Sequence, residues 1–317
     1  MKKNIRASLI SLFCAFLVIS FIACGVKKMP EHPRIYLSAV SSIIEGNQRY
    51  KTGCYKAALE YMYKAHELFS LADYQDGVAK SLNNIGNIYR AEGNTESAVM
   101  FFDEAIRIYK NINDMKGVVQ ALSNKAAVYI DLEQYETAGI VLDQAEAAAA
   151  PINFLYVPYL NNRGIIYTRL KNYSLALKFL TQAAEKINTS ENFEYSAVNF
   201  ALGSLMVETG DYKKAEAHFI NALNTDRKAG YSKGVADDLF ALGDLFFKTE
   251  NSVASADYLQ RSLKIYSLLK DKINAEKTYL LLKRLIEKQG RKSLDIEITA
   301  FFTDLWNDEK RLTTPCE

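Results

Sequence analysis

Side chains able to do chemistry are few and scattered in this sequence. Its three histidines, His32, His66 and His218, stand far apart along the chain. His66-Glu67 opens as a zinc-protease helix does, but Ser70 stands one turn on, where a second histidine must face the metal. No metal site is expected from that spacing. No Gly-rich phosphate loop and no nucleophile elbow is present, and Asp237-Asp238 reads as the charged face of an exposed helix rather than a catalytic dyad. These residues predict a protein that is not an enzyme and uses no cofactor, because no titratable groups converge. Four cysteines remain to be placed, at positions 14, 24, 54 and 316.

The elements that hold these residues must be helical, because proline occurs only at Pro30, Pro33, Pro151, Pro158 and Pro315. The formal charge is +2, and three of the cations, Lys2, Lys3 and Arg6, lead an apolar run from Ala7 to Ala23. That is the charged start and apolar middle of an export signal. It is short for a spanning helix, which needs roughly 20 residues. Its removal leaves a body of charge −1, with no basic face to displace counterions from nucleic acid.

The run ends in Phe21-Ile22-Ala23-Cys24-Gly25, which resembles the lipobox of bacterial lipoproteins, with Phe21 where leucine is usual. The resemblance implies cleavage before Cys24, a diacylglycerol on its thiol and often an acyl chain on its amine. An uncleaved anchor is the alternative, and the body is tethered in either case. Gly25 in place of aspartate implies the periplasmic face of the outer membrane in a cell that has one. Residues 24–34 then form a tether that reaches at most about 33 Å.

A recurrence of 38 to 40 residues decides the fold. Leu82-Asn83-Asn84-Ile85-Gly86-Asn87-Ile88-Tyr89 returns as Leu122-Ser123-Asn124-Lys125-Ala126-Ala127-Val128-Tyr129 and as Leu160-Asn161-Asn162-Arg163-Gly164-Ile165-Ile166-Tyr167. Weaker copies run from Asn199 to Met206 and from Leu239 to Phe246. Small residues follow at fixed distances: Ala98, Ala138, Ala176, Ala215 and Ser255, then Ala105, Ala145, Ala183, Ala222 and Ser262. Gly46, Ala58 and Ala65 fit the same ruler. Minimal side chains there let the helices of a hairpin, and successive hairpins, approach closely.

The pattern resembles the tetratricopeptide repeat, with repeats a few residues longer than usual, which implies longer second helices or longer links between repeats. The resemblance implies an all-α, right-handed superhelical solenoid of about six hairpins over residues 35–271. A capping hairpin at 272–311, with Phe301, Phe302 and Trp306 over its last core face, and a tail at 312–317 complete the chain. In such a stack Cys54 and Cys316 lie at opposite ends, too far apart for a disulfide with each other, so two free thiols or an intermolecular bond are expected.

The first helix of each hairpin would line a concave trough that holds a protein or peptide. Asn84, Asn124 and Asn162 share one repeat position, with Asn83, Asn87 and Asn161 beside them. An amide can both donate to and accept from a peptide backbone, as asparagines do at the matching place in peptide-binding members of the family. Alternatively these amides bond within the stack and set helix spacing. The row stops at Ala201 and Ala241, where Phe200, Phe240 and Phe247 predict a more apolar stretch. The expected function is a membrane-anchored scaffold or adaptor in the bacterial envelope; the alternative is a pilotin-like chaperone for an outer-membrane secretion or pilus subunit. The oligomeric state is not encoded in these patterns.

Overall fold

The computed structural model describes residues 33–187, 193–289 and 316. Cys24, His32, the apolar N-terminal run, Phe301, Phe302 and Trp306 lie outside the described residues. Thirteen α-helices follow one another: α1 (Arg34–Lys51), α2 (Tyr55–Leu71), α3 (Gln75–Ala91), α4 (Thr95–Asn111), α5 (Met115–Asp131), α6 (Tyr135–Ala149), α7 (Val157–Arg169), α8 (Tyr173–Glu185), α9 (Phe193–Glu208), α10 (Tyr212–Ala229), α11 (Ser232–Lys248), α12 (Ser252–Leu268) and α13 (Lys272–Gln289). They pair as six antiparallel hairpins, with α13 opening a seventh. Among the described residues there is no strand, and no helix is long and apolar enough to cross a membrane.

Each hairpin is built by one rule. The small residues of the second helix, from Ala58 and Ala65 to Ser255 and Ser262, are fully buried. Four residues after the first of them comes a large side chain that sits over the small residue of the partner helix. Met62 covers Gly46, Phe102 covers Gly86, Leu180 covers Gly164, Phe219 covers Gly203 and Leu259 covers Gly243. A Cβ on any of these glycines would overlap that side chain, so knob and hole are matched pairwise. Where serine replaces alanine, its hydroxyl donates to a carbonyl of the facing helix, Ser255 to Gly243 and Ser262 to Ala236, both at 2.8 Å. The polar atom is thereby satisfied without opening the contact.

The turns follow from side-chain chemistry too. Asn94, Asp114, Asn172, Asp211, Asn251 and Asp271 each accept an N–H from the third residue onward, capping the helix that follows. The preceding helix ends on a left-handed residue. Gly53, Gly93 and Gly210 fill that place in three hairpins, while Glu133, Lys171 and Glu250 adopt φ near +60° in the others.

Hairpins stack through a second contact. Phe69 of α2 lies over Gly77 and Tyr109 of α4 over Gly117, each bridging to the next first helix. Acid–base pairs add to it: Lys125 reaches back to Asp103 at 2.6 Å, and buried Arg163 bonds Asp143 and, at 3.3 Å, Glu146. The fourth hairpin differs, with helices of 13 residues. A 3-10 turn through Pro151 leads into it, and outside its own hairpin α7 packs more on α5 and α9 than on α6.

First helices approach one another between hairpins, α5 to α7 and α7 to α9, whereas no pair of second helices among the described residues does so to that extent. The stack therefore curves with first helices inside. The curvature accumulates until the chain meets itself. Tyr50 at the end of α1 stacks on Tyr231 with ring centroids 6.1 Å apart, and Leu269 fills the space beside Gly53. Cys54 and Cys316 form a disulfide with Cα atoms 5.2 Å apart. The expectation that these cysteines lie too far apart to bond was wrong. It treated the solenoid as a rod, and a small rotation repeated at every hairpin turns the rod into a nearly closed ring.

Candidate functional site

The inner wall is built from successive first helices, and the asparagine row lies on it between neighbouring hairpins. Asn124 donates to Asn83 Oδ1 at 3.1 Å, and Asn162 donates to the Ser123 carbonyl at 2.8 Å. Asn84 points its amide at Met62 Sδ, 3.8 Å away. Asn83, Asn161 and Asn162 are buried, while Asn84, Asn87 and Asn124 are half-buried. One acceptor, Asn161 Oδ1, is buried and unpaired. The row thus joins α3, α5 and α7, and the half-buried amides of Asn87 and Asn124 keep hydrogen-bonding capacity to spare.

Below the asparagines the wall becomes charged and aromatic. Arg90 at the end of α3 makes a two-pronged bond with Asp131 at the end of α5, at 2.6 and 3.0 Å. Burial opposes the Arg90 cation, but Asp131 outweighs it and holds the guanidinium above its ordinary value. On α11, Lys233 binds Asp237 at 3.1 Å and Asp271 at 3.4 Å, and the Tyr266 hydroxyl donates to Asp237 at 2.6 Å. Burial raises Tyr55, Tyr231 and Tyr266 well above the usual phenol range, so all three stay neutral donors.

The apolar residues expected farther along are present but engaged. Phe200 tilts against Phe219 at 5.6 Å, and Phe240 carries Lys277 over its ring at 4.9 Å. Phe240 and Phe247 are half-buried against the core formed by α11, α12 and α13. Leu280 is about half exposed and Ile44 of α1 more so. His66 and His218 are on separate hairpins, and His218 Nδ1 lies 3.0 Å from Asn199 Oδ1. Among the described residues no cluster of three potential metal ligands occurs.

One reading of the acids needs correction. Asp237 is half-buried and bonded to Lys233 and Tyr266, but Asp238 is 1% exposed and lies inside the joint between hairpins five and six, not on an exposed face. It meets Asp226 of α10, which is 3% exposed and lies over Gly234, the place that Phe69 and Tyr109 take over their glycines. Burial pushes Asp226 up to about 7 and Asp238 up to about 9; the neighbouring charge of Asp237 raises both further, and Asp226 adds to the rise of Asp238. Ser196 bonds Asp226, yet Asp226 Oδ1 and Asp238 Oδ2 have no partner. Spacing relative to Ala222 could have found Asp226, since the fourth residue on is aromatic in α2 and α4.

Sequence reasoning also missed three stacked aromatic pairs that pin hairpins internally: Tyr89 on Phe101, Tyr167 on Phe179 and Phe246 on Tyr258, with centroids 5.4 to 5.6 Å apart. A constant twelve-residue offset was the available signal.

This geometry defines a right-handed solenoid of tetratricopeptide-type hairpins. The tetratricopeptide repeat family model matches residues 45–111 and 194–267. A TPR repeat-containing protein of Methanocaldococcus jannaschii is 27% identical over 213 residues, which is 66% of this chain and 34% of that protein. The chain thus spans about a third of the curated relative it matches. The apo quorum sensor NprR from B. thuringiensis superposes with TM-score 0.57 at 14% identity, covering 86% of this chain and 77% of that one. NprR in complex with its cognate peptide NprX gives 0.55 at 15% identity, covering 82% and 80%. A Rap protein complexed with competence and sporulation factor gives 0.55 at 18%, covering 80% and 76%. The fold is that of a tetratricopeptide-type solenoid.

Proposed function

We propose that the chain is a lipid-anchored scaffold of the bacterial envelope that holds an extended protein segment in its lumen. The observation that carries the binding reading is the continuous inner wall of first helices, polar at Asn83, Asn84, Asn87, Asn124, Asn161 and Asn162 and more apolar toward Phe200, Phe240 and Phe247. Such a wall suits a strand that offers its backbone amides to the first half and apolar side chains to the second. NprR, whose fold is similar, has been solved with a cognate peptide. That supports a peptide or protein partner for this lumen.

The anchor reading rests on residues 2–25: three cations, an apolar run and the sequence Phe21-Ile22-Ala23-Cys24-Gly25. Two acyl chains on Cys24 hold the body at the membrane, since each buried methylene contributes about 0.8 kcal/mol. The Cys54–Cys316 bond supports export as well, because structural disulfides persist in oxidising compartments.

Metabolic labelling with an alkyne fatty acid tests the anchor: label on the wild type and none on Cys24→Ala is expected. Crosslinked capture from membranes tests the partner. Asn87→Ala with Asn124→Ala should reduce recovery of the captured protein while the helical melting curve stays near wild type. Undiminished capture by that folded double variant would refute the lumen as the binding site. A single stoichiometric outer-membrane subunit in the capture would indicate escort rather than scaffolding.

A further inference from the structure

The first helices of the last two hairpins form a cleft whose charges are not balanced. α11 and α13 approach one another directly. Phe240 and Phe247, two turns apart on α11, are half-buried there, and Lys277 of α13 holds its Nζ 4.9 Å above the Phe240 ring. Leu280 follows one turn after Lys277 and is 47% exposed. Lys277, Leu280 and Arg284 share one face of α13 at intervals of three and four residues, so the apolar side chain has a cation on either side.

The acids of α11 beside this cleft already have partners. Asp244, between the two phenylalanines, bonds Lys248 at 2.8 Å, and Asp237 bonds Lys233 and the Tyr266 hydroxyl. Lys277 and Arg284 do not: both are exposed, and neither has a carboxylate within ion-pairing distance among the described residues. Glu276 and Glu287 of the same helix, also exposed, bond neither of them. Earlier first helices differ, since Arg90, Lys125 and Arg163 are each bonded to an acid. A bare cation on an open surface is merely hydrated, but Lys277 lies over an aromatic ring, and the half-buried rings beside it weaken the screening of an incoming charge.

We propose that the cleft between α11 and α13 holds an apolar side chain of the partner segment that is flanked on each side by an acidic residue. This names the chemistry of the segment placed above against Phe240 and Phe247, and it rests on that reading. The apolar side chain seats against Phe240, Phe247 and Leu280, where its removal from water drives binding. The flanking carboxylates meet Lys277 and Arg284 and select the partner, because a basic segment would meet like charge. In an extended chain alternate side chains point the same way, so the acids stand two positions before and two after the apolar residue. Each is then about 6.6 Å from it along the strand, while Lys277 and Arg284 are about 4.5 and 6 Å from Leu280 along the helix. The long stems of lysine and arginine cover the difference.

Fluorescein-labelled peptides carrying two copies of Glu-Ser-Leu-Ser-Glu, of Lys-Ser-Leu-Ser-Lys or of Glu-Ser-Ser-Ser-Glu test this by anisotropy with the full chain. The first should bind about tenfold more tightly than either of the others. Lys277→Glu with Arg284→Glu should invert the preference between the first two, and Lys277→Gln with Arg284→Gln should abolish it. Both variants should melt near wild type, because the two side chains are exposed. No binding of the acidic peptide, equal binding of the acidic and basic ones, or a preference that survives charge reversal in folded protein would overturn the proposal. A photocrosslinking amino acid at Leu280 locates the contact: crosslinks to the acidic peptide are expected, and crosslinks only to residues 290–315 of the same chain or to a second copy overturn it as well. Capture from membranes separates the two readings. If the peptide preference holds while the charge-reversed protein and the Asn87, Asn124 double variant both capture the partner undiminished, that counts against the lumen as the partner's site and leaves the acidic and apolar preference of the cleft standing.

Discussion

Replacing Asp238 by asparagine should stabilise the protein, and more strongly as pH rises. The side chain is almost fully enclosed at the joint of α10 and α11, with Asp226 facing it from α10. The other groups near the pair are Ser196 of α9, Arg227 of α10, and Asp237, itself bonded to Lys233 and to Tyr266 of α12. An Asp whose value rises from 3.8 to about 9 must remain protonated in the fold at pH 7, which costs about 4 kcal/mol relative to the ionised unfolded chain. A buried, unpaired amide returns about 1–3 kcal/mol of that as a penalty. The net gain for Asp238→Asn at pH 7 is therefore about 2 kcal/mol.

The sign follows from proton counting. Between its ordinary and raised values the folded state holds the proton that the unfolded state has lost, so stability falls as pH rises through that window. For Asp238 the window runs from about 4 to about 9, and for Asp226 it closes near 7. His218, lowered by burial, acts in the opposite sense below its ordinary 6.5, so the informative range lies above that value. Urea titrations followed by circular dichroism, with hydrogen exchange at α10 and α11 to read the joint itself, supply the measurement. The wild type should lose up to about 1.4 kcal/mol per pH unit there, and Asp238→Asn should lose much less. A variant that keeps the wild-type slope between about pH 6.5 and pH 8.5 would show that Asp238 is not protonated in the fold, and the reasoning fails.

Three further outcomes follow from local geometry. Gly164→Val drives a side chain into Leu180, which packs tightly over that glycine, and should cost about 1–3 kcal/mol in a urea titration. Lys171→Gly relieves a left-handed backbone at φ 59° and should raise stability by about 1 kcal/mol, provided the exposed side chain makes no compensating contact. Arg163→Ala should cost only about 1–2 kcal/mol despite the burial of the arginine, because Asp143 and Glu146 are 69% and 64% exposed and stay hydrated without it. A double-mutant cycle with Asp143→Ala checks that the loss is packing rather than charge.

The stack itself was legible because its determinants are short-range. Ala98, Ala105 and their counterparts are small at fixed offsets, and each is fully buried where the ruler puts it. The N-caps Asn94, Asn172 and Asn251 are read from two or three residues of sequence. What the ruler does not carry is the rotation between hairpins, which is set by the shape of side chains such as Phe69 and Tyr109 across each joint. Small errors in that angle add over six joints, so contact between Tyr50 and Tyr231 was invisible, and with it the pairing of Cys54 and Cys316. Asp238 was misplaced for a related reason. Charge alone argues for exposure, and only the register of α11 against α10 shows the carboxyl pointing inward. For the asparagines, residue type gave the position on the inner wall but not the orientation of each amide, which depends on the neighbouring helix.

The long span of the Cys54–Cys316 bond also orders events during biosynthesis. Cys54 is made 262 residues before its partner, so it must wait as a thiol in the first hairpin's turn while the later hairpins form and stack. In the finished molecule that sulfur is enclosed, only 2% exposed. The bond can close only after the curvature of the stack has brought the distant sulfur alongside. Its presence in an isolated sample therefore reports that the last residues of the chain have reached the turn of the first hairpin.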